Sequence, residues 1–215
     1  MKPVCLVLGA GAGIGGTVAT KFAQEGYHSS LCRRSDKEGL DRLVKNIEDQ
    51  GGSANGYIMN AIEDNAIEEV ITSIESDIGP IEVLVYNLGA QTGMKLLDQT
   101  SHKEFEWGWR MASFGLFRAA KVLCPLMLER GKGTFLVTSA TAAMRGNMNQ
   151  HSHAAAMGAR RMLCQSLNAE FSSQGIHVVH IVVDGAVDAP DTLGKMMGPE
   201  MYQKFRETKG MEHDG

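Results

Sequence analysis

The chain has 215 residues, enough for one sizeable core and not enough to demand a second domain. A formal net charge of -4 and a pI near 6.0 argue against a nucleic-acid partner, because such binding is driven by clustered Lys and Arg, and no basic block is present. The four cysteines, Cys5, Cys32, Cys124 and Cys164, are scattered without a Cys-x-x-Cys pair, which indicates neither a disulfide framework nor a zinc site and suits a reducing compartment.

In chain order, the first element is the apolar run Val4 to Leu8, too short for a signal segment or a membrane span. It reads as a buried strand of a cytoplasmic protein with no membrane partner. A glycine-rich stretch follows, and then Val18, Phe22 and Ala23 make a helical stripe. Further strand-length runs occur at His28 to Cys32, Ala54 to Met59, Val83 to Tyr86, Thr134 to Thr138 and His177 to Val183. Helical stripes lie between them, one made of Leu40, Leu43, Val44 and Ile47 and another of Ile67, Val70, Ile71 and Ile74. Gly51-Gly52, Gly79-Pro80 and Gly131-Lys132-Gly133 fall between elements as turns. Apolar strands alternating with helix-length connections predict an α/β fold, a Rossmann-like doubly wound parallel sheet in three layers, with residues 1–215 as a single domain. Residues 188–208, which include Met196-Met197, are expected to form a substrate lid, and Lys209 to Gly215 a poorly ordered polar end.

Gly9-Ala10-Gly11-Ala12-Gly13-Ile14-Gly15 lies directly after the first strand and opens the first helix. Glycines there let the backbone turn tightly and approach a pyrophosphate, which the helix N-terminus then holds with its free N–H groups. A nicotinamide dinucleotide is the expected ligand, with Gly9, Gly11, Gly13, Ile14 and Gly15 as its cradle. Cys32-Arg33-Arg34-Ser35 stands where an acidic residue would bind the adenosine ribose of NAD. A guanidinium of Arg33 or Arg34 matches a 2′-phosphate, which favours NADP(H) over NAD(H), while Asp36 is a nearby acid pulling the other way.

These pieces, in this order, resemble the short-chain dehydrogenase/reductase family along essentially the whole chain. Gly9, Gly13 and Gly15 are similar to its Gly-x-x-x-Gly-x-Gly, with Leu8 where Thr is usual. By the same resemblance Asn60 lies where the family contacts adenine. Tyr86-Asn87-Leu88-Gly89 resembles its Asn-Asn-Ala-Gly, which makes Asn87 and Gly89 cofactor-side residues. Asp184-Gly185-Ala186-Val187 looks like the Pro-Gly-x-Val segment whose backbone, here at Val187, meets the nicotinamide. The resemblance implies an oxidoreductase moving hydride between the cofactor and a small carbonyl or alcohol, in a homodimer or homotetramer built on helices around Phe105 to Leu128 and His153 to Phe171. Family members commonly finish with a further helix and strand, so the C-terminus is expected to stop early.

The catalytic part of the pattern departs from the family. Its Asn aligns with Ala112, and aligning Arg160 with the Lys of Tyr-x-x-x-Lys puts Ala156 at the Tyr, so the tetrad is degenerate. Arg160 is too basic to act as an acid and is expected to hydrogen-bond the ribose instead. For the family Ser, Ser139 is chosen over Thr141. His153 is the candidate replacement acid, since imidazole titrates near neutrality. Ser152 is expected to cap the helix that follows. No metal site is expected of His151 and His153, which lack a nearby third ligand. The competing expectation is a non-catalytic NADP(H)-binding sensor or scaffold.

Overall fold

The computed structural model describes residues 2–89, 95–185, 187, 194 and 197–209. Six strands, β1 (Val4–Leu8), β2 (His28–Arg33), β3 (Ser53–Ile58), β4 (Ile81–Tyr86), β5 (Gly133–Ala140) and β6 (Ile176–Val183), form one sheet in the order β3-β2-β1-β4-β5-β6. All neighbours are parallel. The helices are α1 (Ile14–Gln24), α2 (Lys37–Asp49), α3 (Ala66–Asp77), α4 (His102–Trp109), α5 (Gly115–Arg130), α6 (His151–Phe171) and α7 (Pro199–Lys209). Chain order reverses between β1 and β4, so the carboxyl ends of those strands border the crevice where such sheets take ligands.

Burial on both faces explains the unbroken apolar β1, every residue of which is buried. On one face Ile67, Ile71 and Ile74 of α3, Leu116, Leu123 and Met127 of α5 and Leu167 of α6 pack on Leu6, Leu84 and Phe135. On the other, Ala19 and Ala23 of α1 and Leu40 and Ile47 of α2 cover Cys5, Val7 and Leu31. The polar residues of β2 are satisfied in place. Buried Ser29 donates to the Ala19 carbonyl at 2.7 Å, which fastens α1 to the sheet.

α4 and α5 form one helical run joined by a π-turn, Arg110–Phe114. Such a turn releases a carbonyl from the helical ladder. The Tyr86 phenol donates to the carbonyl of Met111 at 2.5 Å, and a Cβ on Gly115 would lie 2.3 Å from that phenol oxygen, so the glycine allows helix and strand to close together. The run 102–130 is long and apolar enough to cross a bilayer, but 56% of its apolar window is buried inside the domain, as for a core helix.

Two arginines of this run hold the loop after β3. Arg118 donates to both carboxylate oxygens of Glu68 (2.8 and 2.5 Å) and to the Ala61 carbonyl at 3.1 Å. Arg110 donates to the Ile62 carbonyl at 3.0 Å and to Asp64 at 2.9 Å. The expected strands all form, and β5 runs past Thr138 to Ala140. One local expectation is corrected. α6 begins at His151, so Ser152 lies inside its first turn and donates to the Glu104 carbonyl at 3.1 Å instead of capping. Of the expected lid, residues 188–193 and 195–196 lie outside the described residues, and Pro199–Lys209 is helix. Residues 210–215 also lie outside them.

Pairing with Arg118 holds the Glu68 carboxyl below its usual value. A depressed folded-state pKa contributes stability above the unfolded value of about 4.3 and loses it as pH falls through the folded value. Arg118→Ala is therefore expected to cost about 1–2 kcal/mol at pH 7, reduced from a fully buried pair by the partial exposure of Glu68. Urea unfolding should show the gap between wild type and variant closing as pH falls below about 4.

Candidate functional site

The loop after β1 is closed to a degree only glycine allows. Gly9 has φ +95°, and a Cβ there would lie 2.6 Å from the Asn87 carbonyl oxygen. A Cβ on Gly15 would lie 2.2 Å from the Gly9 carbonyl oxygen. Gly13 is the N-cap of α1 and no side chain caps it, so the helix presents uncapped amides and the positive end of its dipole at the carboxyl edge of β1. Ile14 begins the helix. This cradle fits a pyrophosphate, with Gly11 partly buried beneath the loop and its carbonyl accepting from Gly16 N–H at 2.9 Å.

Asn87 fixes the loop to the sheet. Its Nδ2 donates to the Gly9 carbonyl at 3.0 Å and its Oδ1 accepts from the Thr138 hydroxyl at 2.7 Å, so the amide orientation is set by both partners. Thr138 did not stand out in the sequence; its position just before Ser139 at the strand end was the available signal. Gly89 is exposed, and a Cβ there would meet nothing within 4 Å.

At the end of β2, Arg33 leans back over the loop, its Nε donating to the Ala10 carbonyl at 2.5 Å and one terminal nitrogen to Asp36 at 2.9 Å. Asp36, in a left-handed conformation, also accepts from Gly39 N–H at 3.1 Å and so caps α2. The acid that pulled toward NAD thus sits on Arg33 and a helix end, while Arg34 is exposed. Asn60 donates to Glu63 at 3.0 Å on the neighbouring loop.

At the ends of β4 and β5 the surroundings turn apolar. Ala112, Ala142, Ala143, Ala156 and Met157 form a buried cluster, and the Ala156 carbonyl accepts from Ser113 at 3.0 Å. Ala156 is therefore spent on packing α6 against the π-turn. Ser139 is buried and donates to the Met157 sulfur at 3.7 Å, and half-buried His153 lies one helical turn before Met157. Arg160, expected at the ribose, has a different placement. It is 2% exposed, and its guanidinium donates to the carbonyls of Ala112 (2.9 Å), Thr138 (2.7 Å) and Leu88 (2.7 Å), which joins α6, β5, β4 and the π-turn. Val187 is partly buried beyond β6.

Other reactive groups near by are tied up. Burial raises the Tyr86 phenol far above the range of a useful acid, and its proton is committed to Met111. Burial pushes the Cys32 thiol up to about 12, and all four cysteines are buried. Among the described residues no group of three His, Cys, Asp or Glu is placed to hold a metal. The loop offers main-chain groups that could hold a dinucleotide, and Ser139 and His153 join Ser113 and Arg160 as polar side chains beside the apolar cluster.

The family model for short chain dehydrogenases matches residues 3–195. The 3-oxoacyl-(acyl-carrier-protein) reductase FabG of Thermotoga maritima is 29% identical over 205 residues, covering 95% of this chain and 80% of the reductase. A short-chain dehydrogenase from Sphingobium yanoikuyae in complex with NADPH superposes with a TM-score of 0.79 at 26% identity, covering 87% of this chain and 72% of its own. A 7α-hydroxysteroid dehydrogenase complexed with NADH and a steroid shares the fold, with a TM-score of 0.82 at 24% identity over 95% of this chain and 78% of its own.

Gly15→Ala should force the loop off α1, because its methyl would overlap the Gly9 carbonyl. Thermal melting is expected to show a loss of about 1–3 kcal/mol, in the range of other strained backbone sites. Fluorescence titration with dinucleotide should show affinity reduced at least roughly ten-fold, equivalent to ~1.4 kcal/mol.

Proposed function

Because the chain belongs to the short chain dehydrogenase family, and so is an oxidoreductase, we propose that it moves hydride between NADP(H) and a small carbonyl or alcohol in the cytoplasm. The observation that carries this reading is the closed glycine cradle under an uncapped helix N-terminus, held in place by Asn87. Relatives support the cofactor class, since one of them is held with NADPH.

Gly9, Gly11, Gly13, Ile14 and Gly15 would hold the pyrophosphate, and Asn60 would border the adenine. Arg33 and Arg34 select NADP(H). Arg33 is already oriented by Ala10 and Asp36 with donor capacity to spare, and exposed Arg34 supplies a second guanidinium. Asn87, Gly89 and Val187 would border the nicotinamide half, whose dihydro ring supplies the hydride when bound. Arg160 would act from beneath, through the carbonyls it holds. Ser139 would orient the substrate oxygen, and His153 would exchange its proton with that oxygen, directly or through one water. Exposed Phe105 and Trp109, one turn apart on α4, and exposed Phe117 on α5 support assembly of copies through these helices.

Doubling Arg33→Ala with Arg34→Ala is expected to weaken NADPH far more than NADH, by about 1.5–3 kcal/mol or roughly ten- to hundred-fold, as for hydrogen bonds to charged groups. Equal losses for the two would remove the NADP(H) assignment. Single-turnover mixing with a panel of carbonyls should consume bound NADPH, and His153→Ala should slow this roughly 100-fold or more. Tight NADPH binding without consumption by any carbonyl would make the protein a sensor rather than a catalyst.

A further inference from the structure

Arg160 is a buried cation without an anion. Its three carbonyl partners are dipoles, its ring neighbour is Tyr86 with the guanidinium carbon 5.1 Å from the ring centroid, and among the described residues none of the ion pairs includes it. Burial opposes the charge, but a guanidinium is not deprotonated in proteins, and dipoles aimed at it hold it in place. Its surroundings, Ala112, Met157 and Cys164, are buried and apolar, so little screens its field. Half-buried His180 on β6 responds to it: after desolvation, Arg160 and Arg161 hold that imidazole below its usual pKa.

The location of this charge matters. Two of its carbonyls lie at the carboxyl ends of β4 and β5, beyond the switch point. In this architecture the pyrophosphate sits over the first strand. The adenosine half extends toward the β2–β3 side, where Arg33 and Asn60 stand, and the other half extends over β4 and β5. Oxidised and reduced dinucleotides differ at one place, the nicotinamide ring, which is cationic when oxidised and neutral when reduced. When a hydride leaves the ring for an acceptor, two electrons and one proton depart together and the ring gains a positive charge.

We infer that the unpaired charge of Arg160 makes the site selective for the redox state of its cofactor, binding NADPH in preference to NADP+. This rests on the cofactor reading above and adds a direction to it. The oxidised form is repelled and leaves, and the site reloads with the reduced form. By Coulomb's law at an effective dielectric of ~20, a unit charge within roughly 10 Å of the ring would shift such a ratio on the order of ten-fold or more.

The test is calorimetric titration of the full chain with NADPH, NADP+ and adenosine 2′,5′-bisphosphate, which lacks the nicotinamide. Wild type should bind NADPH about ten-fold or more tightly than NADP+. Arg160→Lys, which keeps the charge, should retain most of that preference, and Arg160→Gln should bring the NADPH-to-NADP+ ratio toward one, with the bisphosphate affinity measuring separately any loosening of the shared binding surface. If Arg160→Gln does not fold, Cys164→Asp one helical turn along α6 supplies a counter-charge without removing the guanidinium, and it too should reduce the ratio. Equal binding of NADPH and NADP+ by wild type, or an unchanged ratio in a folded neutralised variant, overturns the inference and leaves the cofactor reading standing. Failure of wild type to bind either dinucleotide overturns both.

Discussion

The Asn87 amide joins the carboxyl ends of three neighbouring strands. Its nitrogen reaches the Gly9 carbonyl and its oxygen the Thr138 hydroxyl, so one side chain at the end of β4 fixes the loop after β1 and the end of β5. That geometry requires the loop to come very close, and the closeness excludes a Cβ at Gly9 and Gly15. Everything proposed for the site depends on this closure. It leaves the α1 N-terminus uncapped and facing the crevice, and it brings Thr138 and the residues after it alongside.

The adenosine and nicotinamide sides are built from different materials. Toward β2 and β3 the site is charged, exposed and laced with side-chain pairs such as Arg33–Asp36. Toward β5 and α6 it is buried and mostly apolar, made of alanines, Met157, the hydroxyls of Ser113 and Ser139 and one buried guanidinium. Recognition by the first side takes place in water and is screened by salt, whereas a charge in the second acts across a low-dielectric gap. On the reading proposed above, such a chain would recognise the phosphate end by contact and the redox end by field.

Much of the fold was legible because its signals are periodic and local. Strand-length apolar runs such as Val4–Leu8 gave the strands, and helical stripes such as Ile67, Ile71 and Ile74 gave the crossovers that pack on them. The glycine loop was legible for a different reason, since its residue type is the conformational requirement itself. The other side of the site was harder to read. Arg160 was assigned by its place in a motif, but its partners are main-chain carbonyls, which every residue has and which leave no trace in a sequence. The phase of α6 was equally hidden. Its start at His151 places Ser152 on the Glu104 carbonyl and turns Ala156 into the packing between α6 and the π-turn, while Met157 meets Ser139. Helix phase against a sheet is fixed by tertiary packing, and a short polar segment such as His151-Ser152-His153 carries too little pattern to set it.

The anchoring of Arg160 gives the molecule an uneven tolerance to change. Because the acceptors at Leu88, Ala112 and Thr138 are backbone atoms, the bonds from Arg160 do not depend on those side chains, while substitution at 160 loosens two strands, a helix and the π-turn together. These three bonds are therefore indifferent to the identity of residues 88, 112 and 138, while packing at Ala112 and the Thr138–Asn87 bond constrain those two positions separately. A scaffold with that property can exchange its chemistry piecemeal while its shape persists.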